Sequence, residues 1–293
     1  MYSNFKCNKF LMYFIFVVFL FCSCQTFYQK ESLGFSFIEN SEKDFIWENL
    51  TEGVFISHIK YEKYPLIVHA VKIDLTNPKL KVVVTEPQLF NDKGLVKRET
   101  TLSFARRHNT MIALNAAFFN VRSFLFSLRG EPIGIHIHKK RNLSKPFPKY
   151  GALCFLDDNS AFIIESQNTE DIKADIEYAV SGNRIILKDG KPIITNIGKR
   201  EDSRTCAGIA DGGKTLYLFF AEGENKKKSR GITYDQAHFF MKKLGAQDAI
   251  HLDGGGSSSL IIKKEDKFFV EVPSISNFCL RRVVTNLGFI IED

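Results

Sequence analysis

Apolar and polar positions alternate in short runs along most of this 293-residue chain, which is the period of half-buried strands. Such runs cover Gly53 to Ile59, Leu66 to Leu75 and Leu80 to Thr85, the last two separated by an Asn77-Pro78 turn. Others cover Pro132 to His138, Ala152 to Leu156, Ala161 to Glu165, and Arg184 to Leu187 with an Asp189-Gly190 turn after it. Met111 to Phe119 is apolar or small except at Asn115 and reads as a buried strand. Ser203 to Gly213 turns into the strand Leu216 to Ala221 across Asp211-Gly212, a hairpin signal, so Asp211 is assigned to the turn rather than to chemistry. The final strand is predicted from Arg281 to Ile291, with charge at its start.

Two stretches carry a helical period instead. Thr100 to His108 places Leu102, Phe104 and Ala105 on one side. Tyr234 to Leu244 has an apolar stripe of Ala237, Phe240, Met241 and Leu244, a Thr233–Gln236 capping box before it and Gly245 to end it. Many strands and few helices predict an α+β fold, a single domain with a mixed, mostly antiparallel β-sheet core and a few helices packed on it.

The N-terminus reads differently. Lys6 and Lys9 precede an apolar run, Phe10 to Phe21, that is too short for a free-standing membrane span and suits a secretory signal. Phe21-Cys22-Ser23-Cys24 follows and resembles a bacterial lipoprotein cleavage site, with Cys24 as the lipidated residue and Cys22 as the second candidate. The expected organisation is a signal over residues 1–23, a polar tether over 24–50 and the folded domain over 51–293. It implies export to the cell envelope and a membrane contact through the lipid, on the periplasmic or the surface side.

Composition is ordinary for a globular protein, 44% apolar and 25% charged, which excludes disorder on a large scale. The 28 phenylalanines are assigned to core and strand packing. The formal charge of +7 falls to +5 once Lys6 and Lys9 are removed, and the basic residues are dispersed among 33 acids, so no nucleic-acid partner is expected. The run Lys226-Lys227-Lys228-Ser229-Arg230 reads as a solvated loop. Outside the signal, Cys154, Cys206 and Cys279 allow at most one disulfide.

The most distinctive stretch is Asp253-Gly254-Gly255-Gly256-Ser257-Ser258-Ser259, set between the apolar runs Ala249 to Leu252 and Leu260 to Ile262. Three successive glycines cost roughly 1 kcal/mol each relative to alanine, more than an ordinary hairpin needs. They predict a loop whose bare N–H groups approach an anion or a sugar hydroxyl, beside the Asp253 carboxylate. The segment has neither the Gly-Lys-Ser/Thr ending of a P-loop nor a helix-opening context, so nucleotide motifs are excluded. His136 and His138 share one side of a strand, a spacing that can bind a metal, but no third ligand accompanies them and a solvent-facing side is expected. His251 is read as a supporting residue.

With Leu114 to Phe119, Ser203-Arg204-Thr205 followed by Gly208, the Asp253 block, and Arg282 through Asn286 in this order, the chain resembles the phosphodiester glycosidase family from about Gly53 to its end. It departs from the family pattern at Ala116-Ala117, where two glycines are common, and at Ser203 and Val283, where proline is frequent.

The resemblance implies a hydrolase that cleaves the sugar–phosphate bond of a glycosyl phosphodiester, an N-acetylhexosamine being the expected sugar. Phosphate is already a good leaving group, so the site needs a cation for it, a carboxylate to activate water and polar groups for the hydroxyls. Asp253, Arg204 and Asn115 are the expected catalytic residues. Thr205, Gly254, Gly255, Gly256, Ser257, Ser258 and Arg282 are expected to bind substrate. No cofactor is expected, and a structural or substrate-bridging divalent cation is left open. Two other readings fit the same pattern: a non-catalytic glycan-binding surface lipoprotein, or a transferase or phosphodiesterase of exopolysaccharide assembly.

Overall fold

The computed structural model describes residues 35–121, 128–168, 172, 174–194, 199–273, 275–276 and 279–292. The signal, Cys24 and the tether up to residue 34 lie outside the described residues. The chain divides into two compact units, one holding residues up to Lys43 with Tyr61–Tyr64, the other Asp44–Lys60 with Pro65–Asp293. The first unit has a short helix at 35–39, tied off by the Asn40 side chain on the Ser36 carbonyl at 2.8 Å.

In the second unit, two sheets share one hydrophobic core. The larger has eight strands in the order Glu48–Thr51, Val54–Tyr61, Leu66–Asp74, Thr215–Ala221, Arg204–Ala210, Asp248–His251, Ile185–Lys188 and Lys191–Pro192. The other has five, in the order Lys267–Val272, Leu260–Lys264, Ile112–Asn115, Asn286–Ile291 and Leu80–Val84. A further five-stranded sheet is built from Arg141–Asn142, His136–His138, Tyr178–Ser181, Ala152–Phe155 and Ala161–Ile164. The registered pairings in all three are antiparallel, which bears out the mostly antiparallel core expected from the sequence, though no parallel pair that would make it mixed is among those of the described residues.

The period of two decides what lies between the sheets. Ala207, Ile209, Leu216, Leu218 and Phe220 of the large sheet share one core with Ile112, Leu114, Leu260, Ile262, Leu287 and Phe289 of the other. The residues between them face outward, onto helices. Ala113 and Ile261 pack on Phe104 and Ala105 of the helix Thr101–His108. On the opposite outer face, Phe219 stacks on Phe240 of the helix Ala237–Leu244, with ring centroids 4.8 Å apart. Thr100 caps the first helix by accepting from the Ser103 N–H at 3.1 Å, and Asn109 ends it in the left-handed region at φ 54°.

The structure revises several sequence-based boundaries. The capping box forms, with Thr233 N–H on Gln236 Oε1 at 2.8 Å and Gln236 N–H on Thr233 Oγ1 at 3.2 Å, yet the helix begins only at Ala237. The Tyr234 carbonyl instead accepts from the His251 ring at 3.0 Å and from the Ala237 N–H at 3.3 Å, so residues 234–236 form a turn. The run predicted from Pro132 to His138 breaks at Gly134, which sits at φ +93°. The last strand starts at Asn286, not Arg281.

His136 is fully buried rather than solvent-facing: its Nε2 meets the Thr85 carbonyl at 2.7 Å, its ring stacks on Phe90, and burial lowers its pKa to about 4. No disulfide joins Cys154, Cys206 or Cys279.

Gly208 seats the second helix. A Cβ there would stand 2.5 Å from Met241 Cε and 2.8 Å from Ala246 Cβ. Gly208→Val is therefore expected to lower the unfolding free energy by about 1–3 kcal/mol, the usual cost of overpacking. Urea denaturation should show a lower midpoint with an unchanged slope.

Candidate active site

The chain passes from the large sheet to the second sheet through Leu252–Ser259, and this crossing lies where the strands Ile112–Asn115, Arg204–Ala210 and Asn286–Ile291 also have an end. Asn115 and Asn286, at the ends of their strands, are direct register partners. Leu252 donates to the Thr205 carbonyl at 2.9 Å and Asp253 to the Ala116 carbonyl at 2.9 Å, so successive residues of the loop are tied to different sheets. Gly255 donates to the Ser203 carbonyl at 2.8 Å.

Asn115 holds both ends of this crossing. Its Nδ2 donates to the Asp253 carbonyl at 2.7 Å, and its Oδ1 accepts from the Ser259 N–H at 2.9 Å and from Thr205 Oγ1 at 3.5 Å. Thr205 Oγ1 also lies 3.1 Å from Ser258 Oγ. Asn115, Thr205 and Ser258 are buried to within 1% of full enclosure. The structure therefore makes them the floor that shapes the loop, where the sequence reading expected hydroxyl-binding contacts.

Each glycine meets a different constraint. A Cβ on Gly254 would lie 2.8 Å from the Ser203 carbonyl oxygen, and one on Gly256 would lie 2.8 Å from that of Ile275. Gly255 adopts φ +55°, a region that strains residues with a side chain. The loop's N–H groups largely turn inward: those of Gly255, Ser257 and Ser258 donate to backbone carbonyls, and that of Gly254 donates to Asp253. The expected cradle of outward N–H groups is thus replaced by a loop that presents a carboxylate.

That carboxylate is the chemical centre of the region. Burial pushes the Asp253 pKa up to about 7, opposed by the Ser257 hydroxyl, the nearby Arg281 guanidinium and the Gly254 N–H. Ser257 is buried, so its hydroxyl serves Asp253. Arg204 lies along the same loop, with Nη1 3.7 Å from where a Gly254 Cβ would stand. Its Nε donates to the Ile232 carbonyl at 3.1 Å and its Nη2 to the Arg200 carbonyl at 2.8 Å, while the guanidinium lies 4.1 Å from the Tyr234 ring centre.

Arg282, expected at the site, is exposed. Its neighbour Arg281 takes the place beside Asp253, with Nη1 3.4 Å from the Cβ position of Gly256 and the guanidinium 5.5 Å from the Phe119 ring centre. Alternation could not make this choice, because residues 281–285 are not in a strand. Arg98 joins the pair: burial lowers its pKa, and Arg281 and Arg282 lower it further, which places three guanidinium groups within electrostatic reach of one another.

Tyr150 and Tyr234, neither assigned to chemistry from sequence, both feel the Asp253 charge. Tyr150 packs edge-on against Phe118 and Phe147, with centroids 5.9 and 4.8 Å away, which makes one side of the region aromatic. Only the Phe118-Phe119 pair was legible in advance, as part of the Asn115 motif. Among the described residues no group of three or more His, Cys, Asp or Glu is arranged to hold a metal.

With this geometry in view, comparison with known proteins defines the class. The phosphodiester glycosidase family model matches residues 108–290, and the chain belongs to that family. The catalytic domain of zebrafish N-acetylglucosamine-1-phosphodiester alpha-N-acetylglucosaminidase, auto-inhibited by its pro-peptide, shares the fold. It has a TM-score of 0.60 at 19% identity, over 86% of this chain and 85% of that one. A hypothetical protein from Synechocystis has a TM-score of 0.61 at 14% identity, over 86% and 64%. The SPbeta prophage-derived uncharacterized protein YomE of Bacillus subtilis (strain 168) is 28% identical over 216 residues, 68% of this chain; the match spans 31% of the length of YomE.

The raised Asp253 pKa has a thermodynamic consequence. The folded carboxyl binds its proton more tightly than the unfolded one, so from about pH 4 to about pH 7 the native state holds more protons and loses stability as pH rises. Asp253→Asn should raise the melting temperature at pH 8, with the gain shrinking toward zero near pH 4 when thermal unfolding is followed across that range.

Proposed function

We propose that the protein hydrolyses the sugar–phosphate bond of a glycosyl phosphodiester, with an N-acetylhexosamine as the sugar. One observation carries the reading: a carboxylate with a pKa near 7 stands beside the Arg281 guanidinium, on a loop whose next residue, Gly254, lies against Arg204, within the segment that matches the family. Arg204 and Arg281 hold the phosphate oxygens, Arg204 through the Nη1 edge beside Gly254. The Arg98 and Arg282 charges raise the local potential and draw the monoanionic phosphodiester toward the site.

Ionised Asp253 takes a proton from water as the water oxygen bonds to the anomeric carbon. The bond from that carbon to the phosphate oxygen breaks, and the phosphate monoester leaves with the electron pair. The aromatic side formed by Phe118, Phe147 and Tyr150 faces the apolar surface of the sugar and its acetyl methyl. Ala116 and Ala117 are 0% and 2% exposed, so their methyl groups are enclosed by protein and leave the region over the loop clear. That enclosure favours a working hydrolase over a binding protein that has lost turnover.

We also propose that the enzyme is exported and held at the cell envelope by a lipid on Cys24. The signal-like Lys6 to Cys24 sequence supports this. Cys24→Ser should move the protein from the detergent-soluble membrane fraction to the aqueous fraction and abolish incorporation of labelled palmitate. An unaltered distribution would remove the anchor.

Release of N-acetylglucosamine from a synthetic N-acetylglucosamine-1-phosphodiester tests the activity. Asp253→Asn should lower kcat by about 10²–10⁴-fold, the range typical of a lost general base. In the wild type, kcat/KM should climb with pH up to about 7 and then level, since the base must be ionised. Arg281→Ala should weaken turnover far more than Arg282→Ala. Full activity in Asp253→Asn would end this assignment, and sugar transfer to an added alcohol in place of free sugar would favour the transferase.

A further inference from the structure

The sheet beneath Arg204 contains a buried pair that the proposed reaction does not use. Cys206 and His251 are register partners on adjacent strands, with Cys206 Sγ 3.2 Å from His251 Nδ1. Both are buried, at 0% and 1% exposure. The other ring nitrogen, His251 Nε2, lies 3.0 Å from the Tyr234 carbonyl. A carbonyl only accepts, so Nε2 carries the hydrogen and Nδ1 accepts from the Cys206 thiol. Burial keeps both groups neutral, holding the imidazole pKa down to about 3 and pushing the thiol pKa up. A neutral, fully partnered imidazole of this kind has one orientation.

That orientation passes upward. The His251 ring meets the Tyr234 ring at 67° with centroids 4.3 Å apart, while its Nε2 fixes the Tyr234 backbone. The other part of the contact is Tyr234 with Arg204, whose guanidinium centre lies 4.1 Å from the ring centroid. The same 232–234 segment supplies the Ile232 carbonyl that takes Arg204 Nε at 3.1 Å. One imidazole thus sets two of the three things that define the plane of Arg204, the aromatic surface beneath it and the segment bearing the carbonyl at its Nε edge; the third is the Arg200 carbonyl, which takes Nη2 at 2.8 Å.

We propose that His251, held by Cys206, and Tyr234 are positioning residues that aim the Nη1 edge of Arg204 at the space over Gly254. The functional part of this inference rests on the reading of Arg204 as a phosphate ligand; the positioning part does not. Stacking with an aromatic and a backbone acceptor confine a guanidinium that would otherwise sample many rotamers, so less entropy is lost when an anion binds. Arg204, Cys206, Tyr234 and His251 then act as one unit, although they come from two strands and a turn.

Two measurements separate the positioning from the function. The Nε–H resonance of Arg204, identified by its absence in Arg204→Lys, reports the guanidinium without any substrate. Inorganic phosphate binding by calorimetry reports what the guanidinium does. In Tyr234→Leu and His251→Leu, the resonance should lose its slow solvent exchange and phosphate affinity should fall about tenfold. His251→Gln, which keeps a donor for the Tyr234 carbonyl and an acceptor for the thiol, should restore much of both.

Tyr234 is half-buried, so its leucine variant serves even if the buried His251→Leu does not fold. An unchanged resonance in folded Tyr234→Leu overturns the positioning inference, whatever happens to phosphate. A changed resonance with phosphate affinity unaltered in every variant, Arg204→Lys included, upholds the positioning and overturns the phosphate role of Arg204.

Discussion

The geometry of this protein depends on one buried carboxamide. Asn115 takes the Asp253 carbonyl on its nitrogen and the Ser259 N–H on its oxygen, so a single side chain closes a seven-residue loop from below. Each bond contributes only about 1 kcal/mol net, but a buried group left without its partner costs about 1–3 kcal/mol. The asymmetry makes any other loop conformation expensive. Leu252 is bonded to the large sheet and Asp253 to Ala116, just past the strand end at Asn115, so the loop that Asn115 closes also ties the two sheets together at this end.

Around that anchor, two electrostatic tendencies compete for Asp253. Burial disfavours the charged carboxylate, while Ser257, Arg281 and the Gly254 N–H favour it. Burial dominates, so the pKa is raised to about 7, out of the ordinary carboxylate range. A carboxylate in full contact with water would be too weak a base, and a fully paired one weaker still. The arginines meet their own constraint: Arg204 is enclosed and its charge is spread over two carbonyls and a tyrosine face, whereas Arg281 lies at the edge of the loop. One guanidinium is therefore held by several partners, while the other is peripheral.

Much of this was legible in the chain before any fold was known. The Asp253 block announced itself through three successive glycines, and the structure gives each its own reason: two close approaches to carbonyl oxygens and one left-handed turn. The inference from those glycines to an outward cradle failed, because a sequence shows that a backbone is bare but not which way its N–H groups turn. Arg281 and Arg282 make a similar point. Adjacent in sequence and chemically identical, they part company only because residues 281–285 leave the strand geometry, with Arg282 in solvent and Arg281 against the loop.

The order of residues alone determined most of the strands and the helices of the second unit, through the two periods by which each element buries one face, but not their exact bounds nor strands such as Tyr178–Ser181 and Lys267–Val272. It also marked the loop, since glycine and an isolated acid are costly wherever they serve no purpose. Tertiary structure decided which side chains are floor and which are surface. Asn115, Thr205 and Ser258 look like hydroxyl binders on paper and become enclosed supports, while Arg281, Tyr150 and Tyr234 acquire their places from segments distant in the chain. Burial and pKa shift are properties of an enclosure assembled from many strands, and no local pattern encodes them.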